Sequence, residues 1–118
     1  MKKSLKILSA SALLIASLAA PAQASYYVYG NRGHYIGKLT LSMSGETRYG
    51  LAGTYVKDDE YIVNKITAEV VDNGVSKAYK SNSMDSQATT KTVICNYNGV
   101  VGKHSIKSPS NGDWSDRT

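Results

Sequence analysis

From residue 25 onward, apolar and polar side chains alternate with a period of two over most of the chain. Between Tyr35 and Ser44, Leu39, Leu41 and Met43 point one way and Thr40, Ser42 and Ser44 the other, the pattern of a half-buried strand. Arg48 to Lys57 sets Tyr49, Leu51, Gly53 and Tyr55 on one face. Gly50 and Gly53 inside it predict a bulge, a bend or a close backbone approach. From Glu60 or Tyr61 to Val71, Ile62, Ile66, Ala68 and Val70 share a face, with Asn64 the exception. Asn73-Gly74 then turns the chain into Val75–Ser81, since this pair readily supplies the positive φ angles of a type I′ turn. A two-residue loop there puts Val70 opposite Lys77 and Ala68 opposite Tyr79. Shorter extended pieces are predicted at Tyr26–Tyr29 and after Trp114, with turns at Gly30–Gly33, Ser44–Glu46 and Ser108–Gly112.

The stretch Lys91–Lys107 contains Asn98-Gly99 between an apolar run and an alternating one, a strong hairpin signal. That hairpin pairs Tyr97 with Val100, Cys95 with Gly102 and Val93 with His104, and these residues share a face with Ile106. The polar segment Asn82–Ser86 is then the connection expected to cross between sheets. Seven short strands with turn signals predict an all-β fold, a small antiparallel two-sheet sandwich of Greek-key, immunoglobulin-like architecture or a small barrel, after an N-terminal signal helix. Nine tyrosines, ten glycines and no phenylalanine agree with a β-rich chain. The Cys-Trp-Cys spacing of true immunoglobulin domains is missing, so the expectation extends to architecture only.

Residues 1–24 read differently. Lys2, Lys3 and Lys6 precede an apolar stretch from Ile7 to Ala20, and Ala22-Gln23-Ala24 is a small-x-small pattern. This is the layout of a secretory signal peptide cleaved between Ala24 and Ser25. The strictly apolar part is shorter than the ~20 residues that span a bilayer. The expectation is a secreted protein, extracellular or periplasmic, with a single β domain over 25–118 and no membrane span in the mature chain. Removing the leader takes three of the 14 basic residues and none of the 9 acidic ones, so the remainder carries 11 − 9 = +2. The lysines that remain are scattered singly in sequence, and no nucleic-acid role is expected.

Candidate chemistry is sparse. Cys95 is the one cysteine, so no internal disulfide forms. A catalytic thiol would need a neighbour such as His104 to lower its pKa. Its place between Val93 and Tyr97 favours burial as a small hydrophobe. His34, in a glycine turn, is expected to be solvated, and His104 to fill a sheet position with its ring nitrogens hydrogen-bonded. Neither histidine has a metal-ligand spacing partner, and the acidic groups Asp58-Asp59-Glu60 and Asp113/Asp116 do not match a calcium loop. No cofactor or metal is expected. No nucleophile-elbow, phosphate-loop, dinucleotide or zinc-protease motif occurs, so the chain reads as a non-enzyme.

The tyrosines exceed what a small core requires, and alternation forces some of them outward. Exposed tyrosine offers rigid amphipathic contact area, while cross-strand packing on a solvated sheet is the plainer explanation. The binding candidates are Tyr26, Tyr27, Tyr29, Tyr35 and Tyr61. The expected function is a small secreted binding protein without catalysis, recognising an extracellular protein or glycan through a tyrosine-bearing sheet face or the loops. The alternative is a secreted bacteriocin-like or toxin-like effector acting through a receptor.

Overall fold

The computed structural model describes residues 22–57, 62–96 and 99–118, with nine strands among them. They are β1 (Ala22–Gly30), β2 (Tyr35–Ser44), β3 (Thr47–Val56), β4 (Val63–Asp72), β5 (Val75–Asp85), β6 (Gln87–Thr89), β7 (Val93–Ile94), β8 (Val101–Lys107) and β9 (Trp114–Arg117). All pairings are antiparallel, and they form two sheets. The first runs β1-β2-β3-β6, with β7 also on β3; the second runs β5-β4-β8-β9. Among the described residues no helix is long and apolar enough to cross a membrane. Of the expected leader, residues 1–24, positions 1–21 lie outside the described residues, while Ala22–Ala24 are strand, not helix, in β1 against Leu41–Met43.

The inner faces meet in one core. Tyr35, Ala52, Val56 and Ala88 come from the first sheet, and Ile66, Ala68, Val70, Ala78 and Ile106 from the second. Burying Leu39 or Ile66 contributes about 1.5–3 kcal/mol each. Two ring contacts need glycine beneath them. The His104 ring lies where a Cβ on Gly37 would stand, and the Trp114 indole where one on Gly30 would stand.

The turn chemistry acts where expected. Asn73 and Gly74 have φ of 53° and 79°, and Gly45, in the β2–β3 turn, has 64°. Three details depart from the sequence expectation. First, the β4–β5 register shifts at a bulge between Val70 and Val71. Val70 consequently faces Ala78, not Lys77, and Ala68 faces Lys80, not Tyr79. A one-residue shift exchanges the faces of a strand, so the bulge puts Ala78 in the core and turns Tyr79 outward.

Second, Lys91–Lys107 is not a hairpin. β7 pairs with β3 in the first sheet, and β8 pairs with β4 and β9 in the second. The stretch is a crossover between sheets. Cys95, Gly102, His104 and Ile106 are nevertheless all buried, because alternation sets which side chains face inward whichever strand supplies the partner. Third, the other crossover narrows to Ser86, and Asn82–Asp85 extends β5. Val63 rather than Ile62 enters the core, since β4 begins at Val63 and Ile62 remains 60% exposed.

Candidate functional site

Along β3 the first sheet turns its larger residues outward, while β2 buries Tyr35 and Leu39. Gly50, Ala52, Gly53, Thr54 and Val56 of β3 are buried, Gly53 beneath the Tyr55 ring, while Tyr49, Leu51 and Tyr55 point outward and are half-buried. The register carries this outer face across three strands: Tyr27 lies beside Lys38, and Tyr29 beside Ile36. Ile36 in turn pairs with Tyr55, Thr40 with Leu51, and Tyr49 with Ile94. Four tyrosines therefore share one surface with Ile36, Leu51 and the exposed Ile94. The Tyr27 and Tyr29 rings stack nearly parallel, 6.2 Å between centroids and 12° between planes. The Lys38 ammonium stands 5.6 Å from the Tyr27 ring centre, within cation–π range. Tyr55 lies across Gly53, filling the space a side chain there would take.

Of the residues expected from sequence, Tyr27 and Tyr29 come together on this surface. Tyr26 is on the opposite face of β1, in the register of Leu39, yet half exposed at the sheet edge. Tyr35 is a core residue, not a binding residue. It is completely buried, its ring is 6.0 Å from that of Trp114, and its hydroxyl donates to the Gly112 carbonyl at 2.9 Å. Its parity with Gly37 and Leu39 turns it inward. Tyr61 lies outside the described residues. Sequence reasoning missed Tyr49, Tyr55, Ile36 and Leu51. The signal was present in β3, where the bulky members of the alternation are matched by small ones that allow the second sheet to approach.

The outer face of the second sheet has different chemistry. Ser81, Thr67, Ser105 and Ser115 form a row of hydroxyls across its four strands. On one side of the row Lys65 pairs with Lys107; on the other Lys103 pairs with Arg117. Lysines scattered in sequence thus converge in space, correcting the expectation that no basic cluster exists. Around them is a shallow open concavity of about 870 Å³.

The residues with catalytic potential are held in the core. The Cys95 thiol contacts the Val93 carbonyl at 3.8 Å, beneath Gly50. Burial pushes its pKa up, and the Asp72 carboxylate pushes it further, against a smaller effect of Lys77. His104 is 2% exposed. Thr54 Oγ1 donates to the Thr67 carbonyl at 2.6 Å, so His104 Nδ1 serves as donor to that hydroxyl at 2.9 Å; Nε2 meets Thr118 Oγ1 at 3.3 Å. Burial lowers its pKa to about 4, although Asp116 and the Gly53 carbonyl act in the opposite direction. The imidazole is neutral at pH 7, with its nitrogens engaged as expected. His34 is half-buried after the Asn31–Gly33 turn, not solvated. Among the described residues no group of three or more His, Cys, Asp or Glu side chains is arranged to hold a metal.

Comparison with protein families, with curated proteins and with solved structures returned no match.

Proposed function

We propose that this chain is a secreted, non-catalytic binding protein, a small two-sheet sandwich that docks an extracellular protein partner on the tyrosine face of its first sheet. The observation that carries the reading is the shared outer face of Tyr27, Tyr29, Tyr49 and Tyr55 with Ile36 and Leu51, on which Tyr27 and Tyr29 are exposed, the other four are half-buried and Lys38 stands over the Tyr27 ring. Aromatic rings give large contact area for little conformational entropy. Interface cores are enriched in aromatic residues and poor in charge, and an exposed contiguous apolar surface marks an interaction site. The inversion of size across β3 adds weight, because large apolar side chains on the solvent face add little to the core. A face with isoleucine and leucine between the rings favours a protein surface over a sugar chain. The burial of Cys95 and His104 weighs against a thiol-based catalytic reading.

Export fits the leader pattern, and cleavage before Ser25 would still leave Ser25–Gly30 paired with Tyr35–Thr40. N-terminal sequencing of protein recovered from outside the cytoplasm should begin at Ser25; recovery of the intact leader would contradict it. For the binding itself, the purified protein is immobilised and challenged with culture medium at micromolar concentration. The wild type should retain a protein that the Tyr27→Ala/Tyr29→Ala variant loses. Retention of a glycan alone, or of nothing, would refute the protein-docking reading.

A further inference from the structure

The outer face of the second sheet contains two cross-strand pairs of like charge. Lys65 stands directly opposite Lys107, and Lys103 directly opposite Arg117. Facing like charges destabilise a sheet, and all four side chains are exposed. None of the four has an ion-pair partner among the described residues. The carboxylates nearby are few. Glu69 is opposite Lys103 and Tyr79. Asp113 and Asp116 each accept a backbone N–H at 2.8 Å, from Ser108 and Arg117. Beyond the contact of Lys103 with Glu69 on its other side, the fold itself gives these facing cations no favourable partner among the described residues, which points to a task other than folding.

From this we infer that the outer face of the second sheet binds an acidic polysaccharide in which anionic sugars alternate with neutral ones. The inference goes beyond the protein-docking reading and does not depend on it, since the two surfaces are on opposite sheets. Lys103 and Lys107 are four residues apart on β8, about 13 Å at the rise of a strand. The hydroxyl row crosses midway between them. An extended chain lying along the strands meets cations, then hydroxyls, then cations. Serine and threonine hydroxyls both donate and accept, as sugar hydroxyls require. The Thr67 and Ser105 hydroxyls already bond one another, which orders the centre of the row. A nucleic-acid strand fits less well, because every one of its residues carries a phosphate and some would lie over the hydroxyls. Among the described residues Tyr79 and Trp114 are the aromatic side chains lining this concavity, and Trp114 packs against Tyr35 in the core, so no row of rings is offered for base stacking.

The test uses hyaluronan, which alternates a uronate with a neutral sugar, and the purified protein at low salt. Lys107→Glu and Arg117→Glu each convert a like-charge pair into an opposite-charge pair, so neither should lower the unfolding midpoint. Each should weaken hyaluronan binding by about tenfold or more, as loss of a charge-assisted contact implies. Tyr27→Ala/Tyr29→Ala should leave that binding unchanged, and added salt should weaken it. The inference is overturned if wild type does not retain hyaluronan, or if neutral dextran is held as tightly. It is equally overturned if an oligothymidylate or polyglutamate is preferred, or if the charge reversals leave affinity unchanged.

Discussion

On the outer face of the first sheet Lys38 lies among four tyrosines; on that of the second, Lys65, Lys103, Lys107 and Arg117 lie among hydroxyls with Glu69 and Tyr79. Both faces belong to antiparallel sheets that send their alternate side chains into one core. The difference arises from what each sheet buries. Along β3 the first buries mainly glycine, alanine and threonine, and its large core residues are Tyr35 and Leu39 of β2. The second buries Ile66, Val70 and Ile106 and leaves charge outside. Stability is thus supplied largely by the inner faces, and the outer faces are free to differ.

The sharpest way to break this comparison is to truncate the same residue type on its two sides. Tyr35→Ala empties the core position under Trp114 and should cost about 3–5 kcal/mol. Tyr29→Ala, on the adjacent strand, should cost less than about 1 kcal/mol. Urea midpoints of the two variants measure the contrast, and similar losses would mean that the tyrosine face is structural.

A second effect distinguishes core from surface by pH. The folded pKa of His104 is about 4, against about 6.5 in the unfolded chain. The unfolded state therefore binds the proton first. Stability is full above pH 6.5, falls as pH drops toward 4, and levels off below. The loss between pH 7.5 and pH 4.5 should be about 2 kcal/mol. His104→Gln should flatten this dependence. A profile unchanged by that substitution would show that the buried imidazole does not govern it.

The amount that could be read from the sequence follows from what alternation can and cannot encode. Parity placed Leu39, Ala68, Cys95 and Ile106 correctly, since a period of two is local. It could not say which strand β8 pairs with, so a crossover was expected to be a hairpin. The bulge at Val70/Val71 was invisible because Asn73-Gly74 defines a turn, not the register beyond it. Tyr35 looked like a surface residue until its parity with Leu39 was joined to Gly30 and Trp114, which are distant in sequence. The cation pairs were hidden for the same reason: Lys65 and Lys107 belong to different regions of the chain and meet only through the β4–β8 register.

Two smaller effects sharpen the contrast of faces. Lys107→Glu should raise stability by about 0.2–1 kcal/mol by removing a facing like charge, with thermal midpoints as the readout. A loss instead would show that the pair is not strained. Cys95, buried with a raised pKa, should react with a thiol reagent in native buffer only as fast as the protein opens. Rapid labelling would place it at the surface.

If the two outer faces recognise different ligands, as proposed, a single side-by-side binding measurement shows it. Tyr27→Ala/Tyr29→Ala and Lys107→Glu/Arg117→Glu are each compared with wild type for retention of the protein partner and of hyaluronan. The account predicts that the tyrosine variant loses the protein and keeps the polysaccharide, and that the charge variant does the reverse. If both variants lose the same ligand, or neither loses any, the division of labour between the sheets is wrong.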